Sequence, residues 1–210
     1  MATRILSIIL CTCNRPGALA ETLRTLANLT IPAGWNAELI VVDNAPNETT
    51  ADVVRKASAP ALELIYLPEP RKGKSNALNT GIKRSRGELL LFTDDDVLIP
   101  QDWAVQMLAA LQQEGCDAVV GRIELAPELE RAWLTPLQRW WLAAPPSELQ
   151  VGPELIGANM GLRRSVLEVV PEFDPELGPG ALGLGEEALF SAQLVTAGRR
   201  IVYAEKARAV

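Results

Sequence analysis

The stretch Gly87-Glu88-Leu89-Leu90-Leu91-Phe92-Thr93-Asp94-Asp95-Asp96-Val97 decides how the rest of the chain is read. Residues 88–92 place four large apolar side chains in a row behind a glycine, which is the pattern of a short buried strand. Asp94, Asp95 and Asp96 follow at its carboxyl end. In an open α/β sheet the loops leaving that end converge on a crevice where ligands bind. Three like charges there are unfavourable unless something positive meets them. Asp94 and Asp96, one residue apart across Asp95, suit a hard divalent cation completed by water and phosphate oxygens. A solvated acidic turn is the plainer account of an isolated triplet. The flanking sequence bears on the choice.

Upstream, residues 5–10 form a continuous isoleucine-rich run, as in a central parallel strand covered on both faces. It ends in the polar loop Cys11-Thr12-Cys13-Asn14-Arg15-Pro16, whose proline can open a helix. Leu19, Leu23, Leu26 and Ala27 then recur at helical spacing over residues 18–29. A second apolar strand, 38–42, stops at Asp43-Asn44-Ala45-Pro46-Asn47, so a carboxylate again sits just past a strand end; a turn or N-cap aspartate is the alternative. Residues 50–58 read as a short helix and 62–67 as a third strand. The loop Pro68-Glu69-Pro70-Arg71-Lys72-Gly73-Lys74-Ser75 clusters three cations around a glycine, and residues 74–84 fit a helix leading back to the opening strand.

Repeated strand-helix units predict an α/β fold: a doubly wound, mostly parallel sheet with helices on both faces. The polar loops then share one edge. Thr12, Asp43, Arg71, Lys74, Asp94 and Asp96 gather there although they are distant in sequence. A basic loop facing a carboxylate-held metal meets the charge of a diphosphate from two sides. Neither Gly-x-x-x-x-Gly-Lys-Ser/Thr nor Gly-x-Gly-x-x-Gly occurs, which disfavours Walker-type hydrolysis and dinucleotide redox chemistry.

Downstream, residues 102–113 read as a helix and 118–123 as a strand. Residues 127–155 hold Trp133, Trp140, Trp141 and prolines 127, 136, 145 and 146. They suit a lid or acceptor-binding insertion, since indoles stack on sugar faces; a helix with core tryptophans is an equal alternative. Residues 155–164 suggest a strand with small residues where a ligand or backbone approaches closely. The Gly- and Pro-rich run 178–185 leads to Glu186-Glu187 at the start of a helix over 188–197. Residues 201–203 read as a last strand.

The 210 residues suffice for one domain with a sizeable core and no disulfides. The net charge of -6 argues against nucleic acid as a partner, which would need a basic face. Three cysteines and no histidine make a zinc site unpromising and suit reduced thiols in a cytoplasmic protein. The apolar run near the start is shorter than a signal-peptide core and lacks a cleavage site. No stretch approaches the roughly 18 apolar residues of a membrane span.

With these residues laid out, the chain resembles the family 2 glycosyltransferases, inverting enzymes of the GT-A fold. The likeness rests on Ser7 to Arg15, Val41-Val42-Asp43-Asn44, Gly73-Lys74-Ser75-Asn76-Ala77-Leu78-Asn79-Thr80-Gly81, Phe92-Thr93-Asp94-Asp95-Asp96, Gly157-Ala158-Asn159-Met160 with Arg163-Arg164, and Gly185-Glu186-Glu187. Six matches in the right order cover nearly the whole chain. The resemblance implies a single GT-A domain over 1–210, with 1–100 binding the nucleotide-sugar and 101–210 the acceptor. It implies that Thr12 and Asp43 meet the nucleotide base, Asp94 the nucleoside side, and Asn14, Arg15 and Asp95 the rest of the donor. Arg71 and Lys74 would support the diphosphate, and Asp96 would hold Mg²⁺ or Mn²⁺. Glu187 becomes the candidate base, Glu186 an acceptor contact, and Gly157 and Asn159 acceptor-binding positions. Aspartate is usual where Glu187 stands, one methylene shorter. The family's frequent histidine after the last strand has no counterpart in Ala207-Arg208-Ala209-Val210.

The implied function is metal-dependent, inverting transfer of a sugar from a nucleotide-diphospho-sugar to a glycan, lipid-linked or small-molecule hydroxyl. It would take place in the cytoplasm, with peripheral association at the inner face of the membrane. A donor-binding module of weak activity and a sugar-phosphate nucleotidyltransferase are the alternatives. The latter calls for a Gly-rich basic loop after the first strand, and residues 11–17 contain one glycine.

Overall fold

A computed structural model describes residues 4–143 and 154–210, and only the backbone of 140–142. The chain alternates β1 (Arg4–Thr12), α1 (Pro16–Leu26), β2 (Trp35–Asp43), α2 (Glu48–Lys56), β3 (Glu63–Pro68), α3 (Lys74–Arg84), β4 (Leu89–Asp94), α4 (Trp103–Leu111) and β5 (Ala118–Ile123). It continues through α5 (Pro136–Ala143), β6 (Met160–Arg163), α6 (Glu186–Thr196) and β7 (Ile201–Ala209). The strands form one seven-stranded sheet in the order β3-β2-β1-β4-β6-β5-β7. Six strands run one way and β6 runs against both of its neighbours.

The apolar runs of β1 and β4 are central because both faces of the sheet are covered. Leu6, Ile8, Leu10, Leu89 and Leu91 pack towards α1, α2 and α4, whereas Ile9, Leu90 and Phe92 pack towards α3 and α6. Each such side chain, fully buried, contributes about 1.5 to 3 kcal/mol. Trp103 is the tryptophan of the first core layer, and its side chain has no exposed surface.

Three local expectations change. Residues 155–164 are not one strand: a single 3-10 turn, Gly157–Asn159, precedes the four-residue β6. That turn lets Asn159 point inward instead of alternating across a pleat. The last strand runs to Ala209, well beyond residue 203, because it is an edge strand whose exposed Glu205 and Arg208 hide its apolar partners. Its register against β5 jumps from Gly121 opposite Ala204 to Arg122 opposite Arg208. Asn159 Nδ2 repairs that bulge by donating to the carbonyls of Arg122 at 2.9 Å and Ala207 at 2.8 Å. The third change is at α6, which begins at Glu186, so both glutamates lie in its first turn, where the helix dipole favours them.

Candidate active site

The carboxyl ends of β1, β2 and β4 open on a cavity of about 560 Å³. Cys11, Thr12, Cys13, Arg15, Asn44, Lys72, Gly73, Lys74, Asp94, Asp95, Asp96, Pro179 and Gly180 contribute to its wall. The topology explains the gathering: β1 pairs with β2 and β4 in register, setting Thr12 beside Asp43 and Cys11 beside Asp94.

The three aspartates have separate surroundings. Asp95 is buried, accepts from Thr12 Oγ1 at 2.6 Å and lies 3.4 Å from Arg15 Nη1. Burial pushes its carboxyl up against the opposing pull of Thr12 and Arg15. Asp96 is exposed and accepts from Arg15 Nη1 at 2.7 Å. Asp94 turns to the other face of the sheet and accepts from Lys74 Nζ at 2.9 Å. The same ammonium donates to Glu187 Oε1 at 3.2 Å, and the Gly157 N–H donates to that oxygen at 2.9 Å.

Burial opposes charge on Lys74, but Asp94 and Glu187 outweigh it, so the ammonium titrates above its ordinary range. Burial pushes the Glu187 carboxyl up; Lys74 pulls it down, while Glu186 and Asp94 add to the rise. A carboxylate more basic than usual, beside a ligand cavity, is suited to accept a proton.

The α3 amino end ties the segment leading into α6 to this edge. Gly73, with φ 114°, takes a backbone shape that other residues adopt only under strain. From there Lys74 N donates to the Pro179 carbonyl at 3.0 Å, Ser75 Oγ to the Leu177 carbonyl at 2.8 Å, and Asn79 Nδ2 to the Phe173 carbonyl at 2.8 Å. Phe173 N returns a bond to Asn79 Oδ1 at 2.9 Å. Residues 173–179, which lead into α6, are thereby fixed against the amino end of α3.

Other predicted site residues fall in different places. Asp43 is fully buried behind the cavity wall, accepting from Ala45 N at 3.0 Å and from the Tyr66 hydroxyl at 3.0 Å. Arg71 is turned to the buried Glu69, donating through Nε at 2.9 Å and Nη2 at 2.6 Å. Asn14 is exposed at φ 55° and adjoins the cavity only through its neighbours Cys13 and Arg15. Glu186 is buried against Gly178. Asn159 has no exposed surface: its Oδ1 accepts from Trp103 Nε1 at 2.8 Å and its Nδ2 is spent on the bulge. Trp133 is exposed, and the side chains of Trp140 and Trp141 and prolines 145 and 146 lie outside the described residues.

Two wall residues carry signals too weak to single out in advance. Asn44 looks like an ordinary turn residue, yet its side chain donates to the carbonyls of Glu69 and Arg71 and accepts from Gly73 N, joining two loops. Lys72 supplies an exposed cation that the spacing alone does not distinguish from Arg71 and Lys74.

A divalent cation can be tested against this donor set. Among the described residues no three His, Cys, Asp or Glu side chains form a metal cage. Asp94 and Asp96 nonetheless reach the cavity wall beside two cations that already balance carboxylates there. That set fits a hard ion taking most of its oxygen ligands from diphosphate and water.

The seven-stranded, mostly parallel sheet with an acidic strand end facing Lys72 and Lys74 is of the GT-A type. The chain belongs to glycosyl transferase family 2, whose family model matches residues 7–170. It is 33% identical over 120 residues to the succinoglycan biosynthesis protein ExoM of Rhizobium meliloti, covering 56% of this chain and 38% of that protein. It is 27% identical over 209 residues to an N-acetylglucosaminyltransferase of Bradyrhizobium diazoefficiens, covering 93% of this chain and 42% of that one. The chain therefore spans less than half the length of these curated relatives. In fold it is similar to the mannosyltransferase PcManGT of Pyrobaculum calidifontis in complex with GDP-Man and Mn²⁺, with TM-score 0.74, 23% identity and coverage of 98% of this chain and 56% of that one. It is also similar to TarS of S. aureus in complex with UDP-GlcNAc, with TM-score 0.68, 20% identity and coverage of 94% and 55%. Among the described residues no helix is long and apolar enough to cross a membrane.

Proposed function

We propose that this chain transfers a sugar from a nucleotide-diphospho-sugar to an acceptor hydroxyl with inversion at the anomeric carbon. The observation that carries the reading is the ion-paired line Asp94, Lys74 and Glu187, which joins the acidic strand end to a basic carboxylate on α6. Residues 1–100 supply the donor side, where Thr12, Asn44, Lys72 and Lys74 line the cavity and Asp43 lies buried behind its wall. Residues 101–210 supply Glu187 and the acceptor side.

Asp96 would hold Mg²⁺ or Mn²⁺, with Asp94 on the nucleoside side of the donor. When bound, such an ion stabilises the negative charge that builds on the departing diphosphate. Glu187 takes the proton from the acceptor hydroxyl, whose oxygen then attacks the anomeric carbon. The bond from that carbon to the phosphate oxygen breaks, and its electron pair leaves with the nucleoside diphosphate. The acceptor enters opposite the leaving group, so a single displacement inverts the centre. The three free cysteines fit a reaction in the cytoplasm, where nucleotide sugars are met by a peripheral enzyme acting on a glycan, lipid-linked or small acceptor.

The test is release of nucleoside diphosphate from UDP-N-acetylglucosamine and GDP-mannose with Mn²⁺, over a panel of hydroxyl acceptors. Glu187→Gln should keep nucleotide binding and lose acceptor-dependent release. Release at the unsubstituted rate would remove Glu187 from the role of base.

A further inference from the structure

We infer that Lys74 and the Gly157 backbone N–H together orient Glu187, fixing its Oε1 so that Oε2 faces the acceptor, which makes Lys74 a positioning residue as well as part of the donor wall. The inference rests on Glu187 being the base. Both hydrogen bonds to the carboxylate end on the same atom: Lys74 Nζ at 3.2 Å and Gly157 N at 2.9 Å from Oε1. Among the described residues Oε2 has no hydrogen-bond partner, and the side chain is 22% exposed. The two oxygens thus have different work, one anchored and one open.

Position 157 adjoins both ends of that ion pair. A Cβ there would stand 2.2 Å from Glu187 Oε1 and 2.8 Å from Lys74 Nζ. A Cβ at 157 would therefore push the carboxylate and the ammonium out of their present places, and Gly157 serves the acceptor side through Glu187. The arrangement also answers the extra methylene of glutamate at a position where aspartate is usual. A longer side chain has one more rotatable bond, and two donors converging on one oxygen remove that freedom. Lys74 is held in turn by Asp94 at 2.9 Å and by the α3 backbone bond to Pro179, so the anchor is referred to the donor side of the sheet. Donor and base are set by one ammonium.

The experiment compares Lys74→Met, Lys74→Arg and Gly157→Ala in the whole chain, with two readouts. Carboxyl ¹³C NMR of glutamate-labelled protein without metal, with the Glu187 resonance assigned by Glu187→Gln, needs no turnover. That resonance should move in Lys74→Met and Gly157→Ala, and return towards its original place in Lys74→Arg. Release of nucleoside diphosphate from UDP-N-acetylglucosamine and GDP-mannose with Mn²⁺, water standing in for the acceptor, gives the second. A displacement of about 1 Å costs on the order of 100-fold in rate, so kcat should fall by about that factor in Gly157→Ala while the Kd for UDP or GDP holds within about threefold. Lys74→Met should lose kcat even at saturating donor, with Lys74→Arg recovering most of it. An unmoved Glu187 resonance in both Lys74→Met and Gly157→Ala would overturn the inference, as would a Lys74→Met defect confined to donor KM. Full activity of Glu187→Gln would instead defeat the base assignment and leave the NMR result standing.

Discussion

Charged side chains gather at both ends of the central strands; at the carboxyl end they surround a cavity, and at the amino end they pack against one another. At the amino end Glu38, 1% exposed within β2, accepts from Ser7 Oγ at 2.6 Å, Arg86 N at 2.6 Å and Arg86 Nε at 2.8 Å. Ser7 Oγ also takes the Gly87 N–H at 2.8 Å, and Arg164 covers the carbonyls of Gly87 and Ser85. The donors around the buried Glu38 and Ser7 thus meet acceptors across packed atoms, with no ligand cavity between them. At the carboxyl end Arg15, Lys74 and Lys72 stand around an open cavity, with carboxylates that a ligand or cation can reach. Buried charge by itself marks a staple; charge around unfilled volume marks a site.

Substitutions should separate the two ends. The largest effect belongs to Glu187→Gln, which should lower transfer by about 10² to 10⁴-fold while leaving the melting temperature in place. At the opposite edge Glu38→Ala leaves Arg86 N–H and Ser7 without their acceptor. It should cost about 2 kcal/mol in urea unfolding, with nucleotide affinity of the folded protein unchanged. Asn159→Ala strands the Trp103 indole N–H and two bulge carbonyls and should cost about 1 to 2 kcal/mol. Because Asn159 holds β5 to β7, that loss should appear as stability first. A smaller effect concerns acid. Arg71 first, then Thr80, hold the Glu69 carboxyl at about 2 against its burial, below the ordinary 4.5. The folded state thus binds fewer protons in that window, so this group's contribution is complete above pH 4.5 and is lost as pH falls towards 2. Arg71→Ala should flatten that part of the unfolding midpoint's pH profile. The smallest effect is Arg24→Ala, whose exposed pair with Glu21 should change stability by less than about 0.5 kcal/mol.

The fold was legible because its central strands are continuous apolar runs ending in polar loops, a pattern tied to a sheet covered on both faces. Residues 74–84 and 118–123 form the helix and strand that the spacing predicts. The sense of β6 was not legible, since a run of apolar and small residues fits a parallel or antiparallel neighbour equally. The 3-10 turn before it depends on where the Asn159 amide finds partners, and these are 37 or more residues away in sequence. At the site, the acidic strand end and the Gly73-Lys74 helix start were readable as chemistry. Which cation faces the cavity was not, because Arg71 is turned aside by Glu69, a pairing that only the folded loop reveals. The close fit of Gly157 to Glu187 is likewise a fact of three dimensions.

The central claim, that the carboxyl edge binds a nucleotide-diphospho-sugar with a divalent cation, is tested most directly by calorimetric titration of UDP, GDP, CDP and dTDP into the chain. Each is run with Mn²⁺ and with chelator, and repeated on Asp96→Ala. The account predicts Mn²⁺-dependent binding of one nucleotide, lost in Asp96→Ala without a change in melting temperature. Absence of binding under every condition, or binding that ignores both Mn²⁺ and Asp96, would contradict it.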